Sequence, residues 1–262
     1  SKKLVELASK NKKIVAITAA MRDGTGLDLF AKKYPKRFFD VGIAEEHGVT
    51  FAAGLAASGY KPVISIYSSF YQRAYDEILH DVCLQKLPVT FIVDRAGLVG
   101  RDGETHQGIF DISFMSAIPN LTMIAPKDKR ELEEALEFAM DFDAPVAVRF
   151  ARGSAYISHN DNYKFEYGKS EIIKQGRDIA IIAVGNMVEE TQKAVSNLEN
   201  NGINVTFVNA RFIKPVDYGM IENLAKNHKN IIVVEEAIKK GGFGESVEAY
   251  AQENNLNTKV SV

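Results

Sequence analysis

The stretch Leu87–Asp111, LPVTFIVDRAGLVGRDGETHQGIFD, decides how the chain folds. It opens on an apolar, β-branched run, LPVTFIVD, which reads as a buried strand. A polar loop follows at once. Asp94, Arg95, Arg101, Asp102, His106 and Asp111 interleave there with Gly97, Gly100, Gly103 and Gly108. Titratable groups on a glycine-rich loop at the carboxyl end of a strand describe a site better than a core. In open α/β sheets, ligands bind at that end of the strands.

The same alternation extends in both directions. KIVAIT, FFDVG, KPVISIY, LTMIAP and APVAVRF read as further short strands. GLDLFAKKY, AEEHGVTFAAGLAASG, FYQRAYDEILHDVCLQ and KDKRELEEALEFAMD read as the helices between them. Asp128 is a candidate N-cap for the last helix, with Glu131 completing a capping box. After Gly153 the pattern turns polar and aromatic, then restarts with DIAIIAVG, INVTFVNA and NIIVVEE as strands. The expected architecture is α/β, with two three-layer domains built on mainly parallel sheets. Their expected bounds are residues 1–152 and 177–262, joined by a linker over 153–176 that has room for a short strand pair. The chain starts without Met and stops at NTKVSV, in a strand-like run, so a piece of a longer protein with a shortened second domain is expected.

Composition narrows the function classes. A chain of 262 residues with a net charge of −2 has no basic excess to attract nucleic acid. It has no apolar run long enough to span a bilayer and no signal-peptide pattern, so no membrane partner is expected. The single cysteine, Cys83, cannot form an internal disulfide, which fits a cytoplasmic protein. Its apolar helical surroundings make it a packed thiol rather than a nucleophile.

Three groups of residues could carry chemistry. Glu45 and Glu46 open a helix, where carboxylates complement the helix dipole. The small, apolar residues that follow suggest that this helix start is buried, with one glutamate aimed into a cleft. Without a cation partner such a carboxyl stays protonated and suits a heteroaromatic nitrogen. Tyr67, Phe70 and Arg73 sit at a strand-to-helix junction that could hold a phosphate and stack a flat ligand, although an aromatic stripe of this spacing also serves as core. His106 lies in the glycine-rich loop near Arg95, Asp102 and Thr105, where an active-site role and a surface role are equally open. The spacing matches neither a zinc site, a P-loop nor a dinucleotide fingerprint. GGFGES at 241–246 is only a weak nucleotide-loop signal.

Taken together, DVGIAEEHGVTFAAGLA, YSSFYQRAYDEILHDV, DRAGLVGRDGETHQGIFD and VRFARG resemble the 1-deoxy-D-xylulose-5-phosphate synthases. These belong to the transketolase-like group that uses thiamine diphosphate. The resemblance covers nearly the whole chain and implies a pyrimidine-binding domain followed by a transketolase C-terminal domain. It implies that pyruvate and glyceraldehyde 3-phosphate condense to 1-deoxy-D-xylulose 5-phosphate and carbon dioxide, feeding isoprenoid, thiamine and pyridoxal synthesis. Glu45 would bind N1′ of the cofactor's aminopyrimidine, and Phe70 would stack on that ring. Tyr67, Arg73 and Arg152 would hold the acceptor's phosphate. Arg95, Asp102 and His106 would orient the pyruvate-derived carbon and manage its protons. Glu46 stands where such proteins often have Gln. The motif that holds Mg²⁺ and the diphosphate has no counterpart here and is expected in a preceding N-terminal domain. Alone, the chain is therefore expected to bind the cofactor poorly and not to turn over; the complete protein is expected to be a homodimer. The small subunit of a split transketolase, an oxo-acid dehydrogenase β subunit and a non-catalytic α/β module remain as alternatives.

Overall fold

A computed structural model describes residues 1–153 and 164–262. The first sheet contains β1 (Ile14–Thr18), β2 (Phe38–Asp40), β3 (Lys61–Tyr67), β4 (Thr90–Asp94), β5 (Thr122–Ile124) and β6 (Val146–Arg149). The second contains β7 (Glu171–Lys174), β8 (Ile179–Ala183), β9 (Val205–Asn209), β11 (Asn230–Val234) and β12 (Lys259–Ser261). The remaining strand, β10 (Phe212–Lys214), crosses back to the first sheet.

The strand orders are β10-β5-β6-β4-β3-β1-β2 and β12-β11-β8-β9-β7. All pairs are parallel except the two at opposite extremes, β10 on β5 and β7 on β9. Parallel strands covered on both faces need apolar side chains on both. Accordingly β1 and β4 are buried at every position. Each fully buried Val, Ile or Phe contributes about 1.5–3 kcal/mol.

Helices cover the first sheet on both faces. Leu4 and Ala8 of α1 (Lys2–Lys10), Phe30 of α2 (Asp28–Lys33) and Ala135, Leu136 and Ala139 of α6 (Lys129–Asp141) share a core with Ile14 and Ala16 on one face. The other face packs against α3 (Glu45–Ala57), a short run through α4 (Tyr75–Glu77), and α5 (Asp111–Ser116). That second core takes in Ile213 of β10 and is continuous with the second sheet through Ile182 and Val208, and with Ile221 and Leu224 of α8 (Tyr218–Asn227) and Val247 of α9 (Phe243–Glu253). The outer face of the second sheet is covered by Val188 and Val195 of α7 (Met187–Asn200).

Two expectations need revision. The segment 70–85 is not one regular helix. A 3-10 turn over Ser68–Ala74, the single turn α4 and a π-helical turn over Ile78–Cys83 follow one another. The buried Tyr71 explains part of this: its hydroxyl donates to Ile64 O at 2.8 Å, tying the turn to β3. The segment 153–176, expected as a linker with room for a short strand pair, includes β7; residues 154–163 of it fall outside the described residues. The capping box on α6 is shifted: Asp128 accepts from Glu131 N at 2.8 Å, but Glu131 reaches back to Lys127 N at 2.6 Å.

Candidate active site

The residues singled out in the sequence lie at the carboxyl ends of β2, β3, β4 and β6. Glu45 is the first residue of α3, which follows β2, and it is buried. Small residues let α3 approach the sheet this closely: a Cβ on Gly48 would lie 3.2 Å from Ile64 Cδ1. Glu46 is exposed. The expectation of a glutamate without a cation is overturned. Arg73 Nη1 lies 3.3 Å from Glu45 Oε2, because the 3-10 turn after β3 carries Arg73 over the start of α3.

From this pair the contacts run on unbroken. The Arg73 guanidinium lies over the Phe70 ring at 5.7 Å. Phe70 meets the edge of His106 at 5.1 Å and lies roughly parallel to Tyr67 at 6.0 Å. The Arg95 guanidinium sits 4.0 Å from the Tyr67 ring centre, a cation–π contact. Arg95 Nη1 is ion-paired with Asp102 Oδ2, and Arg152 Nη1 donates to the other carboxylate oxygen at 2.7 Å. All eight candidates, Glu45, Arg73, Phe70, His106, Tyr67, Arg95, Asp102 and Arg152, therefore form one chain of neighbours.

Environment tunes the members differently. Burial raises the Tyr67 phenol above its ordinary value. Its hydroxyl rests on Gly24, where a Cβ would sit 2.7 Å from Tyr67 Cζ and so has no room. Arg95 adopts φ +58, unusual for a side chain this large, and its guanidinium is mostly buried. Arg73 and Arg152 keep 49% and 44% of their side chains exposed, so each has an open face for an anion beyond its carboxylate partner. Thr105 Oγ1 lies 2.9 Å from His106 Nδ1. A cavity of about 570 Å³ opens beside this array, lined by Gly24, Asp94, Arg95, Arg152 and Asn186 among others. Among the described residues, no group of three or more His, Cys, Asp or Glu could hold a metal ion.

Other signals resolve as structure. Cys83 is buried and its thiol is pushed up to about 12, by burial first, so it is a packed thiol. The GGFGES loop does lead into a helix N-terminus, but Glu235 already fills it. Its carboxylate accepts from Phe243 N at 2.9 Å and Gly244 N at 2.8 Å. A phosphate has no place there.

Sequence reasoning missed the support behind the array. Arg149 is buried against Asp111, Nε to Oδ2 at 2.8 Å, and also donates to the Glu236 carbonyl at 3.3 Å. The acidic end of NIIVVEE, after an apolar strand, was the available signal for Glu236.

Comparisons with known proteins agree with the two-domain fold. The model of the transketolase pyrimidine binding domain matches residues 1–156, and that of the transketolase C-terminal domain matches residues 168–262. A 1-deoxy-D-xylulose-5-phosphate synthase of Lachnoclostridium phytofermentans is 54% identical over 97% of this chain and 41% of its own length. That of Clostridium perfringens strain 13 is 52% identical over 98% of this chain and 42% of its own. The chain thus spans about two fifths of the length of the curated relatives it matches. A solved split-gene transketolase, described as an inactive beta4 tetramer, superposes with a TM-score of 0.86 at 32% identity, over 96% of this chain and 83% of that one. On these matches and this two-sheet architecture, the chain belongs to the transketolase family.

Proposed function

We propose that this chain supplies the pyrimidine-binding and C-terminal parts of a cytoplasmic, homodimeric 1-deoxy-D-xylulose-5-phosphate synthase. The unbroken contact chain from Glu45 to Arg152 carries this reading. It joins a buried carboxylate, a stackable ring, a loop histidine and three arginines at the carboxyl ends of neighbouring strands.

These residues fit the aminopyrimidine half of thiamine diphosphate. Glu45 would hold N1′, and Phe70, half-buried beside His106, would stack on the ring. When bound, the cofactor supplies an electron sink for the carbon left after pyruvate loses carbon dioxide. The chain's own side chains supply the rest. Arg73, Arg152 and Tyr67 bind the acceptor's phosphate, the two arginines through the faces that their carboxylates leave open. Arg95 and Asp102 orient the reacting group, and His106 exchanges its proton. With Thr105 against Nδ1, the exchanging nitrogen is Nε2. Mg²⁺ and the diphosphate are assigned to a preceding domain, so this piece by itself should not turn over.

The test combines the complete polypeptide with pyruvate, glyceraldehyde 3-phosphate, thiamine diphosphate and Mg²⁺. The expected outcome is carbon dioxide with 1-deoxy-D-xylulose 5-phosphate in equal amounts. Product formed from a ketose phosphate donor without consumption of pyruvate would favour a transketolase instead and sink this reading.

A further inference from the structure

The loop over residues 98–107, which carries Asp102 and His106, leaves the scaffold through a neck at Gly97 and Gly108. The two glycines exchange both backbone hydrogen bonds, at 2.7 Å and 2.8 Å. Neither has room for a side chain. A Cβ on Gly108 would lie 2.7 Å from Ser68 Oγ, and one on Gly97 would lie 2.6 Å from Glu236 Cδ. Gly97 also has φ +79, which a side chain would strain.

Glu236 comes from the other sheet's side of the molecule, two residues past the end of β11. Its aim is fixed from several directions. Asn186 Nδ2 donates to its Oε2 at 2.8 Å, and the buried Arg149 donates to its carbonyl at 3.3 Å. Two residues on, Ile238 N donates to Ile109 O at 3.0 Å, just beyond Gly108. One short segment, 236–238, therefore touches both stems of the loop. The pyrimidine-binding half needs no second-sheet residue to complete the contact chain described above, yet its most polar loop is held from there.

We propose that Glu236 is a positioning residue. Its carboxylate, aimed by Asn186, presses on Gly97 and fixes the neck, and so sets where Asp102 and His106 stand relative to Tyr67 and Phe70. The catalytic consequence rests on the synthase reading; the clamp itself does not. Substitution of Glu236 would act on chemistry through loop geometry without removing any group that touches substrate.

Two readouts on the complete polypeptide separate these. The first is the rate of tryptic cleavage after Arg101, an exposed loop residue, under native conditions. Glu236→Ala should raise it several-fold, Asn186→Ala should raise it less, and Glu236→Gln, which keeps the volume and an acceptor oxygen, should stay near wild type. The second is steady-state kinetics. Glu236→Ala should lower kcat by about tenfold or more, with KM for both substrates little changed, and Glu236→Gln should restore most of the rate. Unchanged cleavage in Glu236→Ala and Asn186→Ala overturns the clamp, whatever the activity. Faster cleavage with unchanged kcat overturns the positioning role. If the wild-type protein does not consume pyruvate, the synthase reading fails and the cleavage comparison still decides the clamp.

Discussion

Asp94 ends β4 one residue before Arg95, and it carries a cost that the loop does not hide. Its Oδ1 accepts from Arg95 N at 2.7 Å, yet burial pushes its carboxyl from 3.8 up to about 6. A carboxyl with a folded value above its unfolded one binds its proton more readily in the folded state. Its contribution is therefore full below about pH 4 and is lost as pH rises through about 6. Asp94→Asn keeps the acceptor oxygen without the charge. It should be more stable than wild type at pH 7.5 by about 1–3 kcal/mol, with the gap closing by about pH 4. Thermal melts of both proteins across that range check this, and a gap independent of pH would refute it. The same scale shows where residue-type reasoning stops. A pair of glutamates at a helix start announced a buried carboxylate, and Glu45 is one. Nothing in its spacing announced Arg73, because a 3-10 turn and an α-helix carry an aromatic stripe equally well.

At the scale of elements, the buried strands were legible and the edges were not. Parallel strands covered on both faces are continuous apolar runs, so KIVAIT, TFIVD and IAIIA declare themselves. The antiparallel edge strands β7 and β10 do not: EIIK alternates half-exposed residues, and FIK is three residues long. Yet β10 brings a buried ionic joint with it, because Arg211 just before it is buried against α6. Arg211 Nε lies 2.5 Å from Glu131 Oε1, and Asn209 Nδ2 donates to the same carboxylate at 3.0 Å. Lys127 pairs nearby with Glu171 of β7. Removing one partner of a buried pair leaves the other charge uncompensated. Glu131→Ala should therefore lower stability by about 3–5 kcal/mol in denaturant melts, and a loss below about 1 kcal/mol would contradict this account of the joint.

Over the whole molecule, the two sheets share a core and a purpose. The candidate residues all come from segments that the sequence already marked, because titratable groups on glycine-rich loops stand out against apolar strands. What holds those loops was not legible, since Glu236 is far along the chain and becomes their neighbour only after two sheets pack together. If Glu45 heads the proposed thiamine-dependent site, its loss must stop the chemistry without unfolding the protein. The most direct measurement is carbon dioxide release from pyruvate by the complete Glu45→Ala protein, with circular dichroism and melting temperature recorded alongside. The expected rate is at least about a hundredfold below wild type, in a protein that still folds and melts cooperatively. Release within a few-fold of wild type would contradict it.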